Sequence, residues 1–207
     1  MPPRLLPASA RTPKPWKNGG GVTTDVLVWP EGAGLDDFLF RVSIAEVASD
    51  GPFSRFVGVD RILTVIGGAG MVLRFNQNRA VTVTPASGPF AFAGDDDCSA
   101  ELIDGPLTDL NVMSRREHWR ADIAFVTEPE AVRIDPDDGH VLVLILVGSA
   151  QADRLHLGPR DALHLEPGNP GLTVTPLAGS RCAIIRFRSA APTARAGAPG
   201  RAAYPKP

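Results

Sequence analysis

The sequence contains no apolar run long enough to span a bilayer, and its proline-containing first residues lack the apolar core of a signal peptide. We therefore expect no membrane association and a cytoplasmic location. The net charge is only −2 at pH 7, so no basic surplus favours nucleic acid as a partner.

The chain has only two cysteines, Cys98 and Cys182, and they form no Cys-x-x-Cys motif. We expect reduced thiols, although two stacked sheets would still allow the pair to meet. Cys98 follows three aspartates at residues 95–97, which should raise the pKa of its thiol and weaken it as a nucleophile. No Ser-His-Asp or Cys-His arrangement is apparent.

Closely spaced histidines are also missing, since the four present are His118, His140, His156 and His164. Metal-binding histidines need a spacing that puts both imidazoles on one face. His156 and His164 could both face the inside of a second barrel, but unpaired histidines are more often satisfied polar residues than ligands. We therefore predict no metal site and no other cofactor.

Turn-forming residues are abundant, with 21 glycines and 20 prolines. Residues 38–45 alternate, with Phe38, Phe40, Val42 and Ile44 on one face, and this period of two indicates a half-buried strand. Short strands separated by regular turn signals predict an all-β fold. Only residues 110–121 could hold a helical turn or two.

The two halves of the chain echo each other. Residues 61–69 and 140–150 both read as an apolar strand that runs into a glycine turn. The pattern predicts two copies of one small barrel, at residues 1–116 and 117–188. Residues 189–207 are rich in Ala, Pro, Gly and Arg and should form a disordered tail.

One motif near the start of the chain combines an aromatic ring, a cation and an amide with three glycines: Trp16-Lys17-Asn18-Gly19-Gly20-Gly21. Glycine lets the backbone approach a ligand or another segment closely, and Lys17 and Asn18 can both donate hydrogen bonds. The motif is typical either of a corner that binds a small polar or anionic ligand or of a turn whose tryptophan fills the core.

Three further motifs follow: Arg41-Val-Ser-Ile-Ala at residues 41–45, Asp-Gly-Pro-Phe-Ser through Asp-Arg at residues 50–61, and Asp-Leu-Asn-Val-Met at residues 109–113. Together with the Trp-Lys-Asn-Gly motif, they make the chain resemble the HutD/Ves family. The resemblance covers residues 14–116 and implies a bicupin, meaning two cupin-like (RmlC-like jelly-roll) β-barrels in one chain. It also implies an association with histidine utilisation, with small-molecule binding and no established catalytic activity.

The first barrel gathers donors that suit a carboxylate, because arginine offers a planar fork and aromatic rings supply walls. The residues predicted to bind the ligand are Trp16, Lys17, Asn18, Arg41, Ser43, Ser54, Phe56, Arg61 and Asn111. The alternative is structural, since buried charges must be paired and Arg41 could pair with Asp60 or Asp109. For these two aspartates we favour the structural role.

Three functions follow from this sequence. The first is a metal-free protein that binds a small carboxylate, such as urocanate or formylglutamate, and modulates histidine utilisation. The second is a metal-independent isomerase or epimerase, which needs a histidine or a carboxyl of raised pKa in its pocket. The third is an interaction protein that uses a sheet surface to form a homodimer.

Overall fold

In a computed structural model, which describes residues 2–76, 79–127 and 130–190, the chain is built almost entirely of β-strands. A short 3₁₀ turn lies at Ala8–Ala10. The predicted all-β class is confirmed. None of the described helical segments is long and apolar enough to cross a membrane. Residues 191–207 of the predicted tail lie outside the described residues.

The strands of the first half alternate with glycine- and proline-containing turns. They are β1 (Arg4–Leu6), β2 (Lys14–Pro15), β3 (Gly21–Trp29), β4 (Phe40–Val47), β5 (Gly51–Pro52), β6 (Val59–Gly67), β7 (Met71–Phe75), β8 (Ala80–Val83), β9 (Phe90–Ala93), β10 (Cys98–Leu102) and β11 (Leu107–Arg115).

The strands of the second half follow the same rhythm. They are β12 (Trp119–Val126), β13 (Val132–Ile134), β14 (His140–Val147), β15 (Ala150–Ala152), β16 (Leu155–Leu157), β17 (Ala162–Leu165), β18 (Leu172–Pro176) and β19 (Arg181–Ser189).

These strands form two barrels of two sheets each. In the first barrel, a six-stranded sheet (β2-β3-β4-β11-β6-β9) faces a four-stranded sheet (β5-β10-β7-β8). In the second, a five-stranded sheet (β1-β17-β14-β19-β12) faces another four-stranded sheet (β13-β18-β15-β16). The order β4-β11-β6-β9 reappears as β12-β19-β14-β17, and β5-β10-β7-β8 reappears as β13-β18-β15-β16. The two halves of the chain are therefore two copies of one eight-stranded unit.

The N-terminal segment contributes to both barrels. Strand β1 pairs with β17 in the second barrel, with Arg4 opposite His164, whereas β2 and β3 extend the first barrel beside β4. The division at residue 116 stays a prediction, but residues 4–6 belong to a sheet of the second barrel.

Apolar side chains form a core inside each barrel and a third core between them. The inner faces hold residues such as Leu63 and Leu73 in the first barrel and Val143 and Leu163 in the second. The outer faces of the two large sheets pack against each other through a third cluster that includes Phe40. Each large sheet is thus buried on both faces.

This double burial explains why the expectation of a helical turn in residues 110–121 was wrong. Leu110 and Val112 pack into the core between the barrels, whereas Asp109 and Asn111 face the interior of the first barrel. A strand whose two faces are both buried shows no simple apolar–polar alternation, so its period is hidden. The segment forms β11 and the start of β12.

The two cysteines lie apart. Cys98 belongs to the core of the first barrel and Cys182 to the core of the second, and both are free thiols. Burial raises the pKa of each to about 11. For Cys98 the neighbouring Asp96 adds only a smaller upward contribution, so burial is the main cause rather than the acidic triplet.

Candidate functional site

Polar side chains line the inner face of the first barrel on three adjacent strands. In the register of β11 with β4 and β6, Met113 lies opposite both Arg41 and Arg61, and Asn111 lies opposite Ser43. Asp109 follows on the same face, fully buried. Arg61 is only 3% exposed, so two guanidinium groups and a carboxyl lie inside a barrel.

In the second barrel, the positions equivalent to Arg61, Asp109, Asn111 and Ser43 carry no charged or hydrogen-bonding polar side chain of this kind. Both central pairings have a register shift at one place, which falls between Thr108 and Asp109 in the first barrel and between Ile145 and Val147 in the second. Aligning the copies on this shift gives the equivalences Arg61 to Val141, Asp109 to Cys182, Asn111 to Ile184 and Ser43 to Ala124. The strand arrangement therefore forms without the polar set.

Arg41 is neutralised by a residue that the sequence analysis missed, Asp25 on β3. Its Nε donates to Asp25 Oδ1 at 2.7 Å, and Lys14 Nζ donates to Asp25 Oδ2 at 3.0 Å. The expected pairing of Arg41 with Asp60 or Asp109 was wrong. A register shift after Asp25 in the β3–β4 pair leaves Asp25 opposite Ser43, on the inner face. The sequence marks Asp25 only as the lone acidic residue of an otherwise uncharged strand, which does not identify its partner.

Arg61 lies among aromatic rings rather than carboxylates. Its guanidinium carbon is 4.9 Å from the ring centroids of both Phe53 and Phe92 and 5.9 Å from that of Phe56. Its Nη1 reaches the backbone oxygen of Ser54 at 3.5 Å, and its Nε has no partner among the described residues. Burial lowers the pKa of Arg61 to about 10, although the charge of Asp109 acts in the opposite direction.

Asp109 is the second unusual group in this interior. Neither of its carboxyl oxygens has a hydrogen-bond partner among the described residues, and the same is true of Asn111 Oδ1. Burial raises the pKa of Asp109 to about 7, against the opposing pull of Arg61. The structural role favoured for Asp109 would require a partner, and the described residues provide none.

The Trp-Lys-Asn-Gly motif closes one end of this barrel. Trp16 Nε1 donates to Thr23 Oγ1 at 2.7 Å, and Asn18 Oδ1 accepts from the backbone N–H of Gly20 at 3.1 Å. A side chain at Gly21 would meet the backbone oxygen of Glu46 at 2.5 Å, so the close approach of two strands requires glycine there. The corner is thus tightly built.

A cavity of about 10 Å³ lies where this corner meets the Asp-Gly-Pro-Phe turn. That space suffices for about one water molecule. Its lining residues come from both motifs and from β10, and they are Trp16, Asn18, Gly20, Val47, Ser49, Asp50, Gly51, Pro52, Phe53 and Ala100. The turn itself is anchored because Asp50 Oδ1 accepts from the backbone N–H of Leu102 at 2.7 Å.

The predicted ligand residues thus fall into separate places. Arg41, Ser43, Arg61 and Asn111 share the inner face of the first barrel, and Trp16 and Asn18 lie at its end. Lys17 is exposed and forms no hydrogen bond or ion pair with the described residues. Ser54 contributes only its backbone oxygen, and Phe56 stands at the edge of the Arg61 cluster.

Asp60 and Arg115 serve the surrounding structure. Asp60 accepts from Arg116 Nε at 2.9 Å, as its predicted structural role requires. Arg115 donates to the backbone oxygens of Phe38 at 3.1 Å and Val57 at 3.3 Å, as well as to that of Asp36. It holds two loops together.

A larger groove of about 380 Å³ lies where the first barrel meets β12. Of its lining residues, only Arg61 has a buried polar atom without a described partner. The groove is otherwise bordered by small, apolar and surface residues, which are Asp60, Ile62, Ala91, Phe92, Ser114, Arg120 and Ala121.

Two histidines meet in the core between the barrels. His140 Nδ1 lies 3.1 Å from His164 Nε2, and both rings pack against Trp29, with centroids 4.7 and 5.8 Å away. Burial lowers the pKa of His140 to about 4 and that of His164 to about 3. The expectation that His156 and His164 could both face into the second barrel was wrong, because His156 is exposed and His164 faces Trp29.

Within the described residues, no group of three or more His, Cys, Asp or Glu side chains could hold a metal ion. The first barrel instead offers one arginine with an unpaired nitrogen, one uncompensated carboxyl and one free amide oxygen, all buried. Such an arrangement can accept an anion and a proton.

Several known proteins are similar to this chain in sequence and in architecture. The HutD family model matches residues 8–184. A Pseudomonas putida protein described as an uncharacterised 21.2 kDa protein in the hutC 3′ region is 33% identical, over 87% of this chain and 95% of its own. Protein Ves of Citrobacter koseri is 38% identical over 52% of this chain and 56% of its own.

Solved structures agree on the fold. HutD from Pseudomonas fluorescens, determined in a formate condition, is 33% identical and superposes with a TM-score of 0.77 over 90% of this chain and 98% of its own. The bacterial pirin YhhW of Escherichia coli, at 9% identity and a TM-score of 0.65, shares only the fold, over 89% of this chain and 98% of its own. The predicted bicupin fold is confirmed, and the chain belongs to the HutD family.

Proposed function

We propose that the first barrel binds a small carboxylate and that the protein thereby modulates histidine utilisation, without a metal. The observation that carries the proposal is the polar inner face of Arg61, Asp109, Asn111 and Ser43, set against Val141, Cys182, Ile184 and Ala124 at the equivalent places. Because the second barrel forms the same sheets without polar groups at these four places, the fold does not require them there.

Arg61 supplies the attraction for an anion. Arg41 already has a carboxylate partner in Asp25, whereas the described residues give Arg61 only a backbone oxygen at 3.5 Å and the rings of Phe53, Phe56 and Phe92. A buried guanidinium with an unused N–H is well suited to a charge-assisted hydrogen bond with a carboxylate.

The small cavity limits the size of a ligand that enters at the end of the barrel, whereas the groove of about 380 Å³ beside β12 includes Arg61 in its lining. A cavity of about 10 Å³ cannot hold urocanate or formylglutamate unless side chains move. Phe53 lines this cavity and also contacts Arg61, so its displacement would connect the end of the barrel to the arginine. Formate needs the smallest rearrangement and is therefore the first probe.

The link to histidine utilisation rests on relatives. The Pseudomonas putida protein is named for its position in the hutC 3′ region, and the Pseudomonas fluorescens structure carries the name HutD. On this basis urocanate and formylglutamate are the pathway carboxylates to test.

Asp109 gives specific support to a second function, a metal-independent isomerase or epimerase. A carboxyl whose pKa is raised to about 7 is a suitable general acid or base near neutral pH. Incubation of candidate substrates in deuterated water would reveal enzymatic exchange of a carbon-bound proton, and no exchange would argue against this function.

Titration calorimetry with formate, urocanate and formylglutamate tests the binding function. Arg61→Ala should weaken the bound carboxylate at least tenfold, which corresponds to ~1.4 kcal/mol, because the anion loses its charged partner. Val141→Ala, at the equivalent position of the second barrel, is the matched control and should leave binding unchanged. Equal affinities in folded wild type and Arg61→Ala, or no carboxylate bound by the wild type, would refute the proposal.

A further inference from the structure

The charges inside the first barrel do not balance once an anion enters. Arg41 pairs with Asp25, with the Arg41 Nε at 2.7 Å from Asp25 Oδ1, and the other cation bound to Asp25, Lys14, has a side chain that is 70% exposed and lies outside this interior. Arg61 and Asp109 remain, and they feel each other's charge but share no hydrogen bond. With Asp109 ionised, this second pair is neutral, and a bound carboxylate would leave one uncompensated negative charge in a closed interior.

Such a charge is costly, because an uncompensated ion is poorly stabilised away from water. One proton on Asp109 removes the imbalance, since Arg61 then neutralises the ligand. The proton also supplies a donor, because Asp109 and Asn111 together present three fully buried acceptor atoms without partners among the described residues, against one such donor atom, Arg61 Nε. A protonated Asp109 becomes a donor to the anion or to Asn111.

We propose that the first barrel binds a carboxylate together with one proton, and that Asp109 holds this proton. This inference rests on the proposed carboxylate site and goes beyond it by making affinity depend on pH. Asp109 is then the residue that couples binding to acidity, whereas Arg61 supplies the charge that attracts the ligand.

The proton is readily available near neutral pH. Burial raises the pKa of Asp109 to about 7, and a bound anion raises it further because like charges disfavour ionisation. Below this pH the carboxyl is already protonated and affinity is constant. Above it, each pH unit should weaken binding about tenfold until the pKa of the complex is reached.

The other titratable groups that face this interior are Arg61, Cys98, Arg41 and Asp25. Arg61 on β6 has a pKa of about 10, and Cys98 on β10 has a pKa of about 11. Arg41 on β4 and Asp25 on β3 form an ion pair. Proton uptake near pH 8 therefore reports on Asp109.

Calorimetry of the full chain with formate, in buffers of low and high ionisation enthalpy at about pH 8, counts the protons taken up. We expect close to one proton per formate in the wild type and none in Asp109→Asn, whose amide imitates the neutral acid. The variant should bind formate with the same affinity from about pH 6 to pH 9. If the variant does not fold, the number of protons that the wild type takes up per formate is itself the test.

The outcomes separate the two claims. Formate binding that depends on Arg61 but takes up no proton, or equal uptake in wild type and folded Asp109→Asn, overturns the inference and leaves the carboxylate site intact. No binding of formate by the wild type even at about pH 6 overturns the inference, and no binding of urocanate or formylglutamate as well overturns both claims.

Discussion

The two barrels of this protein have the same strand order and the same register shift, yet their interiors differ in chemistry. The second is filled by apolar residues, with Cys182 and Ile184 at the places where the first has Asp109 and Asn111. Because the second barrel has the same strand order with an apolar interior, it shows which polar groups of the first barrel the fold does not need. Those groups are the ones to examine for binding.

The comparison also extends to charge pairs. Arg41 occupies the position that Asp122 holds in the second barrel, because each lies opposite equivalent residues of the central strand, Met113 and Arg186. The Arg41 side chain is 10% exposed beside Asp25, whereas Asp122 and its partner Arg188 are both about half exposed.

Breaking the two pairs should therefore have unequal effects. Asp25→Asn should lower the free energy of unfolding by about 2–3 kcal/mol, because it leaves the Arg41 cation buried without a counter-charge. Asp122→Asn is the matched change at the exposed pair and should cost less than about 1 kcal/mol. Urea unfolding of the two variants measures both, and equal losses would mean that burial of the pair contributes nothing.

The histidine pair between the barrels provides a smaller, pH-dependent contrast. The pKa values of His140 and His164 are lowered from 6.5 to about 4 and about 3, so the unfolded chain takes up protons that the folded chain does not. The contribution of the two neutral histidines to the free energy of unfolding is fully present above about pH 6.5, and it is lost as the pH falls towards 4. Asp109, with its raised pKa, acts in the opposite direction over part of this range.

His164→Leu isolates this contribution. As the pH falls from about 6.5 to 5, the free energy of unfolding of this variant should rise relative to that of the wild type by about 1 kcal/mol for each pH unit. The reason is that the substitution removes one proton-binding site of the unfolded chain. His156→Gln, at an exposed position on β16, is the matched control. A constant difference between His164→Leu and wild type would show that the buried pair does not titrate on unfolding.

Local patterns in the sequence were enough to predict much of the first barrel. The alternation in residues 38–45 placed Arg41 and Ser43 on the face opposite Phe40 and Val42, and the structure confirms this. The strand and glycine turn predicted for residues 61–69 likewise correspond to β6 and the turn that follows it.

Contacts that depend on strand register were not predictable in the same way. Asp25 reaches the inner face beside a register shift that no residue pattern announces, so the partner of Arg41 was missed. His140 and His164 are 24 residues apart and meet only because β14 pairs with β17, with Leu142 opposite His164. The raised pKa of Asp109 follows from burial between two sheets, which the motif at residues 109–113 does not reveal.

The most direct test of the account makes the first interior resemble the second. A triple variant, Arg61→Met, Asp109→Leu and Asn111→Leu, replaces the polar set by apolar side chains of similar volume, an exchange that buried ion pairs often tolerate. We predict that it folds with stability equal to or greater than that of the wild type and that calorimetry at about pH 6 detects no formate binding. A variant that fails to fold, or that folds and binds formate like the wild type, would contradict the claim that these residues form a ligand site rather than part of the core.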